Sequence, residues 1–174
     1  VTLHAGIAGG ADIILLPEIP YDIKAIKKVI EGRSKAGKPF TILAVAEGAI
    51  SKKDAKLSKK EYKEKLAKRK YPSIAYELAE QIEQETDKEV RITVPGHTQR
   101  GGSPCAYDRV FATRVGAKAA ELILKEEYGY MVAMKNGETT KVPLGDVAGK
   151  LKTVDPKCSI IKEARMIGIS FGDE

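Results

Sequence analysis

Two short apolar runs stand out in the first quarter of the chain. One lies between Asp12 and Pro17, and the other covers residues 40–46. Short, nearly continuous apolar runs are typical of strands buried on both faces of a parallel sheet. Asp22 can cap a helix between them, because apolar residues recur at helical spacing over residues 23–30. This strand–helix–strand order predicts a right-handed parallel crossover and therefore an α/β protein.

The rest of the pattern is mainly helical, with one hairpin. Asn136-Gly137 lies between two segments rich in apolar and β-branched residues, and it is the strongest short hairpin signal. Residues 2–8 are small and apolar without a helix start signal, so we expect the sequence to begin within a longer pattern. The further predicted elements are helices at 2–8, 51–70, 74–86, 108–128 and 159–166, a basic turn at 32–37, a strand at 90–94, a hairpin at 130–142 and a helical turn at 144–150.

The segment from Arg91 to Arg109 carries the clearest candidate chemistry. An alternating strand pattern leads into a loop rich in glycine, and a helix pattern follows within a few residues. This join contains Arg91, His97 and Arg100. Arginine forms forked, charge-assisted bonds to phosphate oxygens, imidazole adds a donor, and a helix start offers backbone N–H groups. The composition therefore predicts a site for a multiply charged anion.

Glu47 is a second candidate, because it follows directly after the apolar run 40–46. Ligands in parallel sheets sit at the carboxyl ends of the strands, which is where this residue is expected. A carboxylate in that place can accept hydrogen bonds from sugar hydroxyls. Position alone leaves an ordinary charged loop residue as an equal alternative.

The net charge of +6 is local rather than general. Residues 52–70 hold ten Lys or Arg and three acids, so the remainder of the chain is nearly neutral. A solvated basic helix explains this, and we do not expect nucleic acid as a partner; a polyanion-binding module remains the alternative function. No apolar run reaches the length of a membrane span, and two distant cysteines favour free thiols in the cytoplasm.

The run Arg-x4-Gly-His-x-Gln-Arg-Gly-Gly-x5-Asp-Arg, from Arg91 to Arg109, resembles the signature of bacterial-type 6-phosphofructokinases. The resemblance extends through three further segments, which appear in the order that the family has. These segments are Ala5-Gly-Ile-Ala-Gly-Gly-Ala-Asp12, Pro17-Glu18 and Val45-Ala-Glu-Gly48. The whole chain therefore resembles the carboxyl-terminal half of such an enzyme.

The resemblance implies a three-layer αβα sandwich with a mostly parallel, Rossmann-like sheet. It implies a fructose 6-phosphate-binding domain at 1–102, a segment returning to the amino-terminal donor-binding domain at 103–150, and a carboxyl-terminal tail and helix at 151–174. Glu47 would contact the sugar, while Arg91, His97 and Arg100 would hold its phosphate end. The arginine matching Arg91 reaches into a neighbouring subunit in this family, which implies a homo-oligomer, a tetramer or a dimer.

The family transfers a phosphoryl group to the 1-hydroxyl of fructose 6-phosphate, giving fructose 1,6-bisphosphate in glycolysis. The donor is ATP or pyrophosphate with Mg²⁺. The sequence has no Gly-Gly-Asp-x-x-Gly donor loop, no Thr-Ile-Asp-Asn-Asp base motif and no Met-Gly-Arg sugar loop. We therefore expect no catalytic residue and no metal ligand in this chain, and no activity from it alone. The amino-terminal half of the enzyme would be its partner.

Two differences from the family pattern concern regulation and the choice of phosphoryl donor. Short bacterial members bind a nucleotide effector with residues matching Gly10, Asp12 and Lys38, but Ala36 and Pro39 stand where further basic residues are expected. We expect a weakened effector site. The lysine-rich piece is an insertion of a kind more typical of pyrophosphate-using or intermediate members, and the donor stays open. A regulatory subunit that keeps the sugar site without the base is a third hypothesis.

Overall fold

The computed structural model describes all 174 residues, which form two compact units. The first unit combines Val1–Val94 with Thr153–Glu174. The second unit is the continuous segment Pro95–Lys152. No helix in either unit is long and apolar enough to span a membrane.

The first unit is built on a parallel strand pair. Strand β1 (Ile13–Leu15) pairs in parallel with β2 (Leu43–Val45), and Ser170 adds a parallel bridge to β1 through Ile13. Helix α2 (Ile23–Lys35) connects the two strands, and the Asp22 carboxylate caps it by accepting from the Lys24 N–H at 2.9 Å. The predicted crossover and its cap are confirmed.

Helices cover both faces of this sheet. One face packs Ile14 and Leu16 against α1 (Thr2–Ala8) and α7 (Ser159–Met166), while Ile13 and Leu15 face the opposite core with α2 and α4 (Ile74–Glu85). Alternate residues of a strand point to opposite faces, so burial of four consecutive residues requires a layer on each side. The three-layer αβα arrangement is confirmed.

The basic segment folds as two pieces rather than one helix over 51–70. A short 3₁₀ turn spans Asp54–Lys56, and helix α3 spans Lys59–Ala67. Ser58 divides them, because its hydroxyl accepts from the Glu61 N–H at 3.3 Å while the Glu61 carboxylate accepts from the Ser58 N–H at 2.8 Å. This reciprocal capping box starts a new helix and so breaks the predicted one.

Other boundaries differ from the predictions as well. Helix α2 continues through Gly32 to Lys35, and the turn is made at Gly37 with a positive φ of 75°. Strand β2 is shorter than the apolar run 40–46. The predicted strand at 90–94 does not form, because these residues pair with no other strand and the Val90 N–H donates instead to the Glu83 carboxylate at 3.1 Å. Alternation specifies two faces, but a strand also needs a neighbouring backbone.

The second unit is a helix with a hairpin. Helix α5 (Ala106–Leu124) precedes antiparallel strands β3 (Tyr130–Lys135) and β4 (Glu138–Pro143), and α6 (Leu144–Val147) follows. Asn136 and Gly137 have φ values of 52° and 81° at the hairpin turn. Both values lie in the left-handed region, which a two-residue type I′ turn requires at both of its central residues. The hairpin prediction is confirmed.

The carboxyl-terminal residues are fixed into the first unit. Phe171 is fully buried, and the Arg165 guanidinium lies 4.9 Å from its ring centre. Arg165 also binds both carboxylate oxygens of Asp173, at 3.0 and 2.8 Å. Gly172 has a φ of 73°, and a Cβ there would lie 2.7 Å from Leu15 Cδ2. Only glycine fits at this close approach to the sheet.

Tyr21 gives the first testable prediction. Burial, with the nearby Glu77 and Asp54 carboxylates, raises the pKa of Tyr21 to about 12. Above pH 10 the unfolded state loses this phenolic proton while the folded state keeps it, so stability is full below pH 10 and is lost as pH rises through 12. Between pH 8 and 11 we expect the wild type to lose about 1 kcal/mol more unfolding free energy than Tyr21→Phe, which has no phenol to ionise. Urea unfolding at both pH values measures this, and an unchanged loss would contradict it; Tyr128→Phe is the exposed control.

Candidate functional site

Glu47 lies at the carboxyl edge of the parallel sheet, as predicted. It follows β2 in a turn closed by the Ala49 N–H, which donates to the Ala46 carbonyl at 2.9 Å. A Cβ on Gly48 would lie 3.2 Å from Pro17, so the turn packs against the residues that follow β1. The Glu47 side chain is exposed and has no hydrogen-bond partner within the chain. Its carboxylate is therefore available to hydroxyl donors.

A second carboxylate, Glu18, belongs to the same edge and was not selected from the sequence as a site residue. One oxygen, Oε1, accepts from the Val154 N–H at 3.0 Å, and the other, Oε2, is buried without a partner. Glu18 thus connects the end of β1 to the point where the chain re-enters the first unit. In the sequence, only the Pro17-Glu18 pair pointed to this residue. The hydrogen bond between Glu18 and Val154 joins residues 136 positions apart in the chain.

Arg91 is exposed in the first unit. Its Nε lies 3.1 Å from Glu89 Oε1, and the two side chains are 88% and 75% exposed. Exposed pairs of this kind contribute little to stability, about 0–1 kcal/mol, because water competes for both groups. The Arg91 guanidinium therefore makes no buried contact and can exchange Glu89 for a stronger anion at small cost.

His97 and Arg100 lie in the second unit, on the 3₁₀ helix Gly96–Arg100. A 3₁₀ helix has three residues per turn, so side chains three apart lie on the same side. His97 and Arg100 are three apart, and both are exposed without an ion pair. Gly96 begins this turn with a φ of 53°, a conformation that glycine adopts without strain. The loop thus presents a donor pair on one side.

The start of α5 is partly occupied by its own side chain. The Asp108 carboxylate accepts from the Cys105 N–H at 3.3 Å and from the Cys105 thiol at 3.2 Å. A carboxylate in the first turn already complements the positive end of the helix dipole. The backbone N–H groups at this helix start are therefore less available to a bound anion than the exposed arginines are.

Asp12, one of the effector candidates, is engaged within the fold. Its carboxylate lies 2.9 Å from Arg33 Nη1 and accepts from the Ile42 N–H at 2.8 Å. Arg33 also donates to the Phe40 carbonyl at 3.3 Å, so the pair joins α2 to the start of β2. The other two candidates, Gly10 with a φ of 68° and the exposed Lys38, flank this connection. A ligand of Asp12 would have to displace Arg33.

No cluster of three or more His, Cys, Asp or Glu side chains is placed to hold a metal ion. The sequence contains no aspartate next to a glycine-rich phosphate cradle of the expected kind. The chain does present four exposed polar side chains that can serve as ligands, Glu47 and Arg91 in the first unit and His97 and Arg100 in the second.

Comparison with known proteins gives the family directly. The family model for phosphofructokinase matches residues 1–123, and the chain belongs to the phosphofructokinase family. The resemblance of the 91–109 signature is thereby confirmed. The chain is 50% identical over 173 residues to the ATP-dependent 6-phosphofructokinase of Spirochaeta thermophila, covering 99% of this chain and 47% of that protein.

Other relatives give the same result. The chain is 41% identical to the ATP-dependent 6-phosphofructokinase of Chloroflexus aurantiacus, covering 100% of this chain and 47% of the relative. The chain is 44% identical to ATP-dependent 6-phosphofructokinase 2 of Clostridium perfringens, covering 99% and 48%. The chain spans about half the length of these curated relatives.

Solved structures support the fold. The phosphofructokinase of Pichia pastoris in the T-state matches 83% of this chain and 15% of its own, with 31% identity and a TM-score of 0.59. The pyrophosphate-dependent phosphofructokinase of Marinobacter aquaeolei matches 97% of this chain and 44% of its own, with a TM-score of 0.68. The second likeness, at 17% identity, concerns the fold alone.

Proposed function

We propose that this chain is the fructose 6-phosphate-binding half of an ATP-dependent 6-phosphofructokinase. The observation that carries the proposal is the near-complete match of the chain to half of relatives with that name, at up to 50% identity. The enzyme would transfer a phosphoryl group to the sugar 1-hydroxyl and produce fructose 1,6-bisphosphate. Mg²⁺, the donor and the catalytic base would belong to the amino-terminal half.

The site residues have distinct chemical roles in this proposal. Glu47, at the carboxyl edge of the sheet, accepts hydrogen bonds from sugar hydroxyls and fixes the orientation of the ring. Arg91, His97 and Arg100 neutralise the phosphate of the same substrate, with the forked guanidinium geometry that suits phosphate oxygens. Their exposure in this chain supports the assignment, since none has a buried intramolecular role to lose.

The domain roles and the partners follow as further proposals. Residues 1–102 would bind the sugar phosphate, 103–150 would return to the donor-binding domain, and 151–174 would complete the first domain as its tail and helix. Arg91 would serve the site of a neighbouring subunit in a dimer or tetramer, which its surface position permits. ATP is favoured over pyrophosphate, because the curated relatives above are named ATP-dependent.

We also propose a cytoplasmic location. Cys105 and Cys158 are both free thiols in the structure, as the reducing cytosol favours. Gly10, Asp12 and Lys38 would form at most a weak effector site, because Arg33 already binds the Asp12 carboxylate.

Activity of the enzyme containing this chain tests the proposal. The assay supplies MgATP and fructose 6-phosphate, couples fructose 1,6-bisphosphate formation to aldolase, and is repeated with pyrophosphate. Product formation with ATP supports the assignment. Product with pyrophosphate alone would change the donor, and the absence of product with both donors would contradict the function.

Glu47→Gln tests the sugar contact. We expect about 10-fold weaker binding of fructose 6-phosphate, because hydrogen bonds to a charged acceptor are stronger than those to an amide. Inorganic phosphate binding should not change, since Glu47 does not serve the phosphate end. Calorimetric titration with both ligands measures this, and Glu31→Gln, an exposed carboxylate on α2, is the control. Equal weakening of both ligands would contradict the role.

A further inference from the structure

The basic segment at 52–70 divides into two sets of cations. The inner set makes ion pairs: Lys65 lies 2.5 Å from Asp54 Oδ2 and 3.7 Å from Glu77 Oε1, and Arg69 lies 3.3 Å from Glu77 Oε2. Lys70 lies more loosely, 3.9 Å from Glu80. Lys52 belongs with this set, because its Nζ donates to the Asp173 carbonyl at 2.7 Å.

The inner set holds the segment in place. The Asp54 and Glu77 side chains are only 13% and 16% exposed, so their bonds to Lys65 and Arg69 are partly shielded from water. These pairs connect the 3₁₀ turn, α3 and α4, and Lys52 adds a bond to the carboxyl-terminal tail. Partly shielded, connected pairs resist salt better than isolated surface pairs. The segment is therefore an ordered part of the first unit.

The outer set is different, because its six members make no ion pair and are all exposed. These are Lys53, Lys56, Lys59, Lys60, Lys63 and Lys68. On α3, Lys60 and Lys63 are three residues apart and share a face with Glu64 and Ala67, while Lys59 flanks it. The face opposite, through Tyr62, Lys65 and Leu66, lines the cavity shared with the start of α4.

Six unpaired lysines on an ordered surface repel one another and attract a concentrated negative charge. Net charge that is concentrated in one region destabilises the compact state through self-repulsion. A ligand that spreads many negative charges over this surface relieves the repulsion and releases its own counterions. Because the inner set already orders the backbone of this surface, binding costs little backbone entropy, and only the lysine side chains lose conformational freedom.

We propose that these six lysines form a binding surface for the phosphodiester backbone of a nucleic acid, without sequence preference. Lysine is a compact point charge that suits phosphate contacts but carries little base-reading geometry. The outer face of α3 has no aromatic or large aliphatic residue. That composition disfavours a membrane surface, which requires an apolar face to insert, and a protein partner, whose binding centre is typically depleted of lysine. This inference does not depend on the sugar-phosphate site.

The ion pairs in the structure change the choice between a solvated basic helix and a polyanion-binding surface. The sequence alone does not distinguish the ten cations from one another, and a single solvated basic helix accounts for all of them. The observed pairing shows that three of them, Lys65, Arg69 and Lys70, are neutralised by nearby carboxylates, while the unpaired Lys60 and Lys63 lie on the face of α3 that points away from the cavity. The positive field of the segment is therefore directed outward.

Fluorescence anisotropy of the purified protein with a labelled DNA duplex of about 20 base pairs, between about 50 and 200 mM KCl, tests the proposal. The test variant carries Lys56→Gln, Lys59→Gln, Lys60→Gln and Lys63→Gln. The control variant carries Lys24→Gln, Lys28→Gln, Lys35→Gln and Lys162→Gln, which remove the same charge from exposed lysines of the first unit that make no ion pair. Thermal melts verify that each variant is folded, and sedimentation with phosphatidylserine vesicles runs in parallel.

We expect the wild type and the control variant to lose about 100-fold in affinity across this salt range, as four phosphate contacts imply with a logarithmic slope of roughly −3.6. The test variant keeps only Lys53 and Lys68 of the six, so it should lose most of its affinity at low salt and show a clearly shallower slope than the control variant. Absence of binding to the duplex, equal binding by the test and control variants, or sedimentation with vesicles in place of duplex binding would each overturn the proposal.

Discussion

Replacing Arg100 by alanine is expected to raise the fructose 6-phosphate concentration needed for half-saturation by roughly 10- to 100-fold. A charge-assisted hydrogen bond contributes about 1.5–3 kcal/mol, and that energy converts to this range of affinity. Stability should change by less than about 0.5 kcal/mol, because Arg100 is exposed and makes no ion pair within the chain. Substrate saturation and thermal unfolding of the same preparation measure the two effects separately.

The control for Arg100 is Arg114→Ala. Arg114 lies in the same unit on α5, and its Nη2 pairs with the Glu138 carboxylate at 3.3 Å, so its replacement removes the same charge away from the loop. Half-saturation should stay within about 2-fold of the wild type in this variant, since non-site surface changes are nearly neutral. A loss of stability in Arg100→Ala with unchanged saturation would show that the residue is structural.

Replacing Phe171 by alanine is expected to cost about 3–5 kcal/mol of unfolding free energy. The ring is fully buried beside Leu3, Ile14 and Ile161. Its removal costs the free energy of transferring the ring out of water and also leaves a cavity in the core. The stacked Arg165 guanidinium loses its partner too, although its bonds to Asp173 remain. Urea-induced unfolding at neutral pH measures the change.

Ile167→Ala is the matched control for Phe171. Ile167 follows α7 four residues earlier in the chain, but its side chain is 74% exposed. Its truncation should change the unfolding free energy by less than about 0.5 kcal/mol. If both variants unfold with the same free energy as the wild type, the carboxyl-terminal segment does not complete the core of the first unit.

The sequence was sufficient for features that depend on local pattern. The parallel strand pair, the Asp22 cap and the Asn136-Gly137 turn follow from residues close together in the chain, and all three are present, although β2 is half-buried rather than fully buried. The position of Glu47 at the carboxyl edge follows from the same crossover, because parallel strands place their carboxyl ends together. The family signature added the proposed phosphate-binding residues through their identities rather than through geometry.

Features that depend on distant partners could not be predicted. The 90–94 segment alternates like a strand, yet no ladder forms beside it, since pairing requires a neighbouring backbone that periodicity cannot identify. Glu18 bonds to Val154, and Arg33 binds Asp12 across a helix, so both contacts appear only when the fold brings the segments together. The division of the basic segment at Ser58 had a local signal, the Ser58–Glu61 capping box, which the charge pattern obscured.

Calorimetric titration of the purified protein with fructose 6-phosphate tests the central claim most directly, with fructose and inorganic phosphate as reference ligands. The account predicts saturable binding of the sugar phosphate, with an affinity higher than that of either reference ligand, because Glu47 and the arginines contact different ends of one molecule. Binding of fructose 6-phosphate no stronger than that of inorganic phosphate would show that the sugar is not recognised, and it would contradict the assignment.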